Sequence, residues 1–223
     1  MSVLVIIPAA GSGSRFGGPV PKQFQPLAGK PLVQYVVERF LMTEAARIVV
    51  AIPDALLTTV KQASGDRVQF IGGGETRLQS VIRAMHTIRD KYDVVAVHDA
   101  VRPFFKMTTF ASLIEVTRQG DAALPALPIT DTIHAIHDGR LSATVDRSNL
   151  VAAQTPQCFR FEVLRDALAR AEREKFDATD EAGLVAHYGY AVQIVPGDPY
   201  NIKITRPEDL ALAEAHFEEW SRE

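Results

Sequence analysis

"VLVIIPAAGSGSRFGGPVPKQF", residues Val3 to Phe24, runs from continuous aliphatics into a stretch of small residues and then two cations, Arg15 and Lys22. An aliphatic run without polar alternation suits a strand covered on both faces, as in a parallel sheet with helices on either side. Similar runs recur at Arg47 to Pro53, Val68 to Gly72, Val94 to Ala100 and Ala122 to Pro128. Helical periodicity falls between them, at Leu32 to Met42, Ala55 to Ala63, Arg77 to Arg89 and Thr108 to Arg118. The alternation predicts an α/β fold, a mostly parallel twisted sheet flanked by helices. Ligands in such folds bind beyond the carboxyl ends of the strands.

One segment interrupts this rhythm. "ITDTIHAIHDGRLSATVDR", Ile129 to Arg147, carries Asp138-Gly139, a two-residue hairpin signal, between partly alternating flanks. It reads as a projecting β-hairpin arm, with an antiparallel edge hairpin as the alternative. The pattern then resumes. Phe161, Leu164, Leu168 and Ala171 form one helix face, "AVQIVP" is a late strand, and Leu210, Ala213, Phe217 and Trp220 line a last helix. Thr205 with Glu208 is a capping box for that helix, with Pro207 in its first turn. No linker, repeat or low-complexity tract divides the 223 residues, so a single domain spanning 1–223 with an arm at about 129–150 is expected.

Composition narrows the function. Lys and Arg number 24 against 27 Asp and Glu, a net charge of −3, which argues against duplex DNA or an anionic membrane as a bulk partner. A small anionic ligand held by a few local cations stays open. The lone Cys158 allows no intrachain disulfide, and six scattered histidines give no zinc spacing. There is no basic leader or membrane-length apolar segment, so a cytoplasmic protein is expected.

The glycine loop fits neither familiar nucleotide motif. From Gly11 and Gly13, the third position of a dinucleotide fingerprint is Phe16, and Pro19 stands where a P-loop needs lysine. Two readings remain. The loop is an ordinary turn with Lys22 in solvent, or its backbone N–H groups cradle phosphate beside Arg15 and Lys22. "GGGETRLQSV" (Gly72 to Val81) places a second glycine cluster after the third strand, and "VHDAVRPF" (Val97 to Phe104) places Asp99 and Arg102 after the fourth. Asp99 suits a divalent metal, a ribose hydroxyl or a turn cap. Arg102, preceding Pro103, has its backbone direction restricted. Lys203 within "NIKIT" lies on the polar face of an edge strand or aims into a site.

Taken together, these segments resemble the 2-C-methyl-D-erythritol 4-phosphate cytidylyltransferases of the non-mevalonate isoprenoid pathway. The shared motifs are "PAAGSGSRF", "PKQF", "GGGETRLQSV", "HDAVRPF", "TDTI", "DR" with "AQTPQCF", "ATDEA" and "NIKITRPEDL", in the family's order over essentially the whole chain. The resemblance implies a Rossmann-like fold, CTP and methylerythritol phosphate as substrates, Mg2+ or another divalent cation, and a homodimer whose arms cross to the partner. It implies that Ala9, Ala10, Gly11, Gly13, Arg15 and Lys22 form the CTP loop. Gly74, Ser80 and Ala100 match positions at the cytosine and ribose, with Glu75 beside them. Asp99 matches the position near ribose and metal, the metal being otherwise held by the CTP phosphates. Arg102, Thr179 and Lys203 match positions around the phosphates and the methylerythritol. Thr132 and Arg147 would reach the acceptor from the neighbouring subunit, with Thr155 close by. Arg15, Lys22 and Lys203 would be the catalytic cations.

The chain departs from the family's usual residues at Val101, where alanine is common, and at Gly183 and Ala186, where serine and glutamate are common; Thr130 replaces an arginine found in some relatives. None of these touches Arg15, Lys22, Asp99 or Lys203. The nearest alternative is a cytidylyltransferase for ribitol 5-phosphate or a related polyol phosphate. A nucleotide-binding module without turnover is the alternative of another class. No second catalytic segment is expected after Glu223.

Overall fold

The fold grows from the alternation within Val3–Pro8, the first strand, β1. Leu4 and Ile6 point into one apolar cluster, while Val3, Val5 and Ile7 point into another on the opposite face. Every one of these side chains is buried, and full burial of such a residue is worth about 1.5–3 kcal/mol. In this computed structural model the described residues are 2–11, 16–17, 20–60 and 65–220, apart from the side chains of 59, 60, 218 and 219.

In chain order the remaining strands are β2 Pro26–Leu27, β3 Lys30–Pro31, β4 Ala45–Ile52, β5 Val68–Gly72, β6 Val94–Val97, β7 Ala122–Pro128, β8 Ile133–His137, β9 Arg140–Val145, β10 Val151–Ala153, β11 Gln157–Arg160 and β12 Val192–Pro196. The helices are α1 Leu32–Leu41, α2 Leu57–Val60, α3 Arg77–His86, α4 Met107–Gln119, α5 Phe161–Glu174, α6 Glu181–His187 and α7 Pro207–Trp220. The expected α/β architecture is present. β1 lies between β4 and β6, parallel to both; β5 extends the sheet parallel to β4, and β12 pairs parallel with β7. β10 and β11 run antiparallel to β7, and β11 also runs antiparallel to β6. The chain proceeds β1, β4, β5 and then returns to β6 on the other side of β1. This reversal opens a crevice at the carboxyl ends of β1 and β6.

Several boundaries differ from the sequence reading for local reasons. β6 stops at Val97 instead of Ala100 because the Asp99 N–H leaves the ladder for the Thr155 hydroxyl, and Arg102 N–H closes a turn onto Asp99 C=O. α3 ends at His86, where Thr87 turns its hydroxyl back to Ala84 C=O. The segment expected as a helix over Ala55 to Ala63 is a 3-10 turn at Asp54–Leu56 followed by the short α2, and 61–64 lie outside the described residues. The cap of α7 is one residue later than expected. The Asp209 carboxylate, not Glu208, accepts from the N–H groups of Thr205 and Arg206 and from the Thr205 hydroxyl.

The arm is set apart from the main sheet. β8 and β9 pair only with each other, which decides against an edge hairpin. Asp138 (φ 49°) and Gly139 (φ 72°) both take positive φ, as a type I′ turn requires. In a third apolar cluster, α7 packs Leu210, Ala213, Phe217 and Trp220 on Leu27, Tyr35, Val101, Phe104 and Ile204. Among the described residues no helix is long and apolar enough to cross a membrane.

Candidate active site

The crevice is lined by Ala9, Ala10, Gly11, Lys22, Gly74, Glu75, Ser80, Asp99, Ala100 and Lys203, all residues singled out from the sequence. Gly13 and Arg15 lie outside the described residues. The first wall begins where β1 ends. Gln23, buried in the 3-10 turn Lys22–Phe24, donates its amide to Ala9 C=O at 2.7 Å and to Gly11 C=O at 2.9 Å. This side chain staples the start of the glycine loop to the turn that carries Lys22.

The second wall is the turn between β5 and α3. A Cβ on Gly73 would lie 2.1 Å from the Ala10 Cβ, and one on Gly74 would lie 2.4 Å from the Gln79 Cβ. Glycine at 73 lets the two loops approach this closely, and glycine at 74 lets the turn fold onto the first turn of α3. Ser80 accepts from Gly74 N–H at 3.0 Å and donates to Thr76 C=O at 3.1 Å. Thr76 and Gln79 form a reciprocal capping box that starts α3 at Arg77.

The floor is an ionic knot around Asp99. Its carboxylate meets Lys203 Nζ at 2.8 Å, Arg77 Nε at 3.1 Å and Arg102 Nε at 3.5 Å. Burial pushes the Asp99 carboxyl up, but Arg77, Lys203 and Arg102 together pull it well below the usual carboxylate range. Lys203 therefore aims into the site. It is held there by the flanking isoleucines, which pack under α7, and by Ile204 N–H on Val101 C=O. Arg102 is buried and spends its fork internally, on Asn201 C=O at 2.6 Å and Ala153 C=O at 3.5 Å.

Of two further charged residues of the floor, Arg77 was readable only as the opening of a helix, with no role attached, and Glu181 was given none. Arg77 bridges Asp99 to Glu181, whose carboxylate is fully buried and 2.5 Å from Arg77 Nη1. Burial raises the Glu181 carboxyl more than Arg77 lowers it. The signal available was Arg77 at the first position of a helix facing the crevice; a buried glutamate 104 residues away leaves no local pattern. α6 is fixed from β11, because Gln157 donates to Asp180 at 2.7 Å and accepts from Ala182 N–H at 3.0 Å. At Gly183, the departure from serine, the backbone N–H caps onto Asp180 at 2.8 Å.

The proposed acceptor-side residues are not gathered in this crevice. Thr155 is buried beneath it, bonded to Asp99 N–H. Thr179 is exposed just before α6. Thr132 and Arg147 lie on the arm, exposed, with Arg147 donating to Thr130 C=O. Cys158 is buried, which pushes its thiol up, so a thiolate nucleophile is absent here. Among the described residues no group of three His, Cys, Asp or Glu could hold a metal ion.

Cations and backbone donors converging where the strand order reverses suit a nucleotide triphosphate, and comparison with known proteins agrees. The model of the family described as "IspD: 2-C-methyl-D-erythritol 4-phosphate cytidylyltransferase" matches residues 3–219. The chain belongs to this family. A relative of that name from Acidobacterium capsulatum is 42% identical over 229 aligned positions, covering 96% of each chain. The Thermus thermophilus enzyme, known from its crystal structure, is 37% identical with a TM-score of 0.81, over 96% of this chain and 98% of that one. The Francisella tularensis crystal structure superimposes at a TM-score of 0.86 with 30% identity, over 96% and 99%.

Proposed function

We propose that the chain transfers the cytidylyl group of CTP to 2-C-methyl-D-erythritol 4-phosphate, releasing pyrophosphate. The observation that carries this reading is the crevice at the β1/β6 reversal, where Lys22, Lys203 and Arg77 surround a floor whose one buried carboxylate, Asp99, is already held by cations. An acceptor phosphate oxygen attacks the α-phosphorus in line. The bond from that phosphorus to the bridging oxygen breaks, and pyrophosphate leaves with the electron pair. The attacking oxygen is already anionic near neutral pH, so no general base is required. The task is to hold two anions in line and offset their charge.

In this reading Ala9, Ala10, Gly11 and Gly13 cradle the phosphates. Gly74, Glu75, Ser80, Asp99 and Ala100 surround the base and ribose. Arg15 and Lys22 offset charge on the departing pyrophosphate, and Lys203 offsets it at the α-phosphate. Both Asp99 oxygens already face cations. The donor set therefore fits a magnesium ion held by triphosphate oxygens and water, which would neutralise the phosphates when bound. Arg102 and Thr155 shape the acceptor side from below, and Thr179 borders it. Thr132 and Arg147 complete it from a partner's arm in a homodimer. The whole chain acts as one domain, in the cytoplasm.

A panel of acceptors with CTP and pyrophosphate detection tests the reading. Pyrophosphate should appear with methylerythritol phosphate and not with ribitol 5-phosphate or with CTP alone. Release with ribitol 5-phosphate at equal kcat/KM would reassign the acceptor, and release without any acceptor would refute transfer.

A further inference from the structure

His98 is buried without any exposed surface, one residue before Asp99, and it lies outside every role assigned so far. Its ring sits edge-on to Phe40 at 5.3 Å and tilted against Phe105 at 4.7 Å. Both ring nitrogens are occupied. Nε2 is 2.9 Å from Arg102 C=O, and Nδ1 is 3.0 Å from the Thr155 hydroxyl. That hydroxyl oxygen also accepts from Asp99 N–H at 3.1 Å.

The donors and acceptors along this path have one consistent assignment for a neutral ring. A carbonyl only accepts, so Nε2 carries the proton. Nδ1 then has a lone pair, and the Thr155 O–H must point at it. An imidazolium could also satisfy Arg102 C=O, but the ring has no exposed surface and its two partners are a carbonyl and a hydroxyl, neither an anion, so burial disfavours the charged form. The result is a continuous path: Asp99 N–H to Thr155 Oγ1, Thr155 O–H to His98 Nδ1, and His98 Nε2–H to Arg102 C=O. Its ends are the two ends of the turn that Arg102 N–H closes on Asp99 C=O.

From this we infer that His98 is a positioning residue, acting as the Nε2–H tautomer to lock the Asp99–Arg102 turn through Thr155 at one end and the Arg102 carbonyl at the other. The turn fixes where the Asp99 carboxylate and the Arg102 guanidinium leave the backbone, and Asp99 in turn holds Lys203. The hydroxyl–imidazole pair resembles an activated nucleophile, but the assignment gives it another purpose. The Thr155 proton is committed to His98 within the protein, so Thr155 acts on substrates through Asp99 rather than by donating to a phosphate. The effect on catalysis rests on the proposed reading of Asp99, Arg102 and Lys203; the tautomer does not.

The first test is nitrogen NMR of the 15N-histidine-labelled full chain at pH 7, with the His98 signals assigned by their loss in His98→Phe. A protonated Nε2 and an unprotonated Nδ1 are expected. A protonated Nδ1, in the other tautomer or in an imidazolium, would overturn the proposal whatever the activity. The second test uses His98→Phe, which keeps an aromatic ring between Phe40 and Phe105 and removes both hydrogen bonds. Misplacing a reacting group by about 1 Å costs on the order of 10²-fold. A loss of that order in kcat/KM for the acceptor is expected, shared between a lower kcat and a higher KM. A smaller population of folded enzyme would lower kcat alone, and that result would refute positioning. Thr155→Val should lose about as much, Thr155→Ser should recover most of that loss, and the double variant His98→Phe with Thr155→Val should be no worse than the poorer single one. Additive losses, or a folded His98→Phe variant at wild-type kcat/KM, would count against it. Should His98→Phe fail to fold, the Thr155 pair decides.

Discussion

Around Asp99 three cations converge on one buried carboxylate, and each of the three is anchored by a different element: α3, the turn after β6 and the segment before α7. Along the arm, β8 and β9 bond only to one another, and nearly every side chain from Ile133 to Val145 faces solvent. The cross-strand pair Ile136 and Leu141 is 74% and 62% exposed, a poor use of apolar residues in an isolated chain. The crevice floor is complete within one subunit. The arm has no internal reason for its composition, and the proposed homodimer would supply one. Substitutions should divide accordingly: those at the floor should damage turnover and folding, and those on the arm should damage assembly and acceptor binding.

The largest effect is expected at the lysines of the crevice. Lys22→Ala and Lys203→Ala should each lower kcat by at least ~10²-fold, the scale for losing one preorganised charge stabiliser. Steady-state pyrophosphate release reads this directly. Near wild-type kcat in both variants would remove the crevice from the mechanism. Arg15→Ala is expected to behave as Lys22→Ala does.

The second expectation concerns stability. The folded-state pKa of Asp99 lies below the unfolded value, because the attraction of Arg77, Lys203 and Arg102 outweighs burial. Its contribution is therefore present above the unfolded pKa of about 3.9 and is lost as pH falls through the folded value. Asp99→Asn leaves three cations facing a neutral amide, and breaking such a buried pairing costs about 3–5 kcal/mol. Thermal melts should place the variant well below wild type at pH 7, with the gap narrowing steadily below about pH 4. A gap independent of pH would show that the charge of Asp99 is not what stabilises the floor.

Much of this contrast was legible in the chain itself. Val3–Pro8 and its fellow aliphatic runs report burial on both faces, and Asp138-Gly139 reports its turn, because both signals are local. The glycines and cations of the crevice are local signals too, but alone they left the opening loop between a turn and a phosphate cradle; Ala9, Ala10, Glu75, Ser80 and Ala100 were named through the family resemblance. Glu181, Gln23 and His98 were not. Each acts on groups that only the folded chain brings near it, or does so from inside the core, where a polar side chain looks like any other buried residue until its partners are known. The end of β6 was misplaced because one hydroxyl, that of Thr155, diverts Asp99 N–H from the ladder.

On the arm, Ile136→Asp combined with Leu141→Asp should weaken a dimer by roughly 30-fold or more, taking about 2 kcal/mol as the least apolar burial forfeited by the two subunits together. Sedimentation at assay concentration measures this. A variant that stays dimeric at wild-type affinity would disconnect the arm from assembly, and a monomer with unchanged acceptor KM would disconnect assembly from the site.

The smallest expected effect is the sharpest test of the division between floor and arm. Arg147 is exposed and donates to Thr130 C=O, so its removal should leave the melting temperature within about 2 °C of wild type, as for other surface substitutions. If its guanidinium reaches the acceptor phosphate of the neighbouring subunit, Arg147→Ala loses one charge-assisted interaction, about 1.5 kcal/mol or roughly tenfold in KM for methylerythritol phosphate. KM for CTP should not move. Mixing Arg147→Ala with Lys22→Ala subunits then separates the two regions within one dimer. The mixed dimer has a single working crevice, on the subunit whose own arm carries Arg147→Ala. An arm that acts on the neighbouring crevice supplies that crevice with the intact Arg147 of the Lys22→Ala subunit. The working crevice should therefore return to the wild-type acceptor KM, although neither parent variant has both wild-type KM and wild-type kcat. A KM that stays raised in the mixed dimer would place the arm's contact within its own subunit.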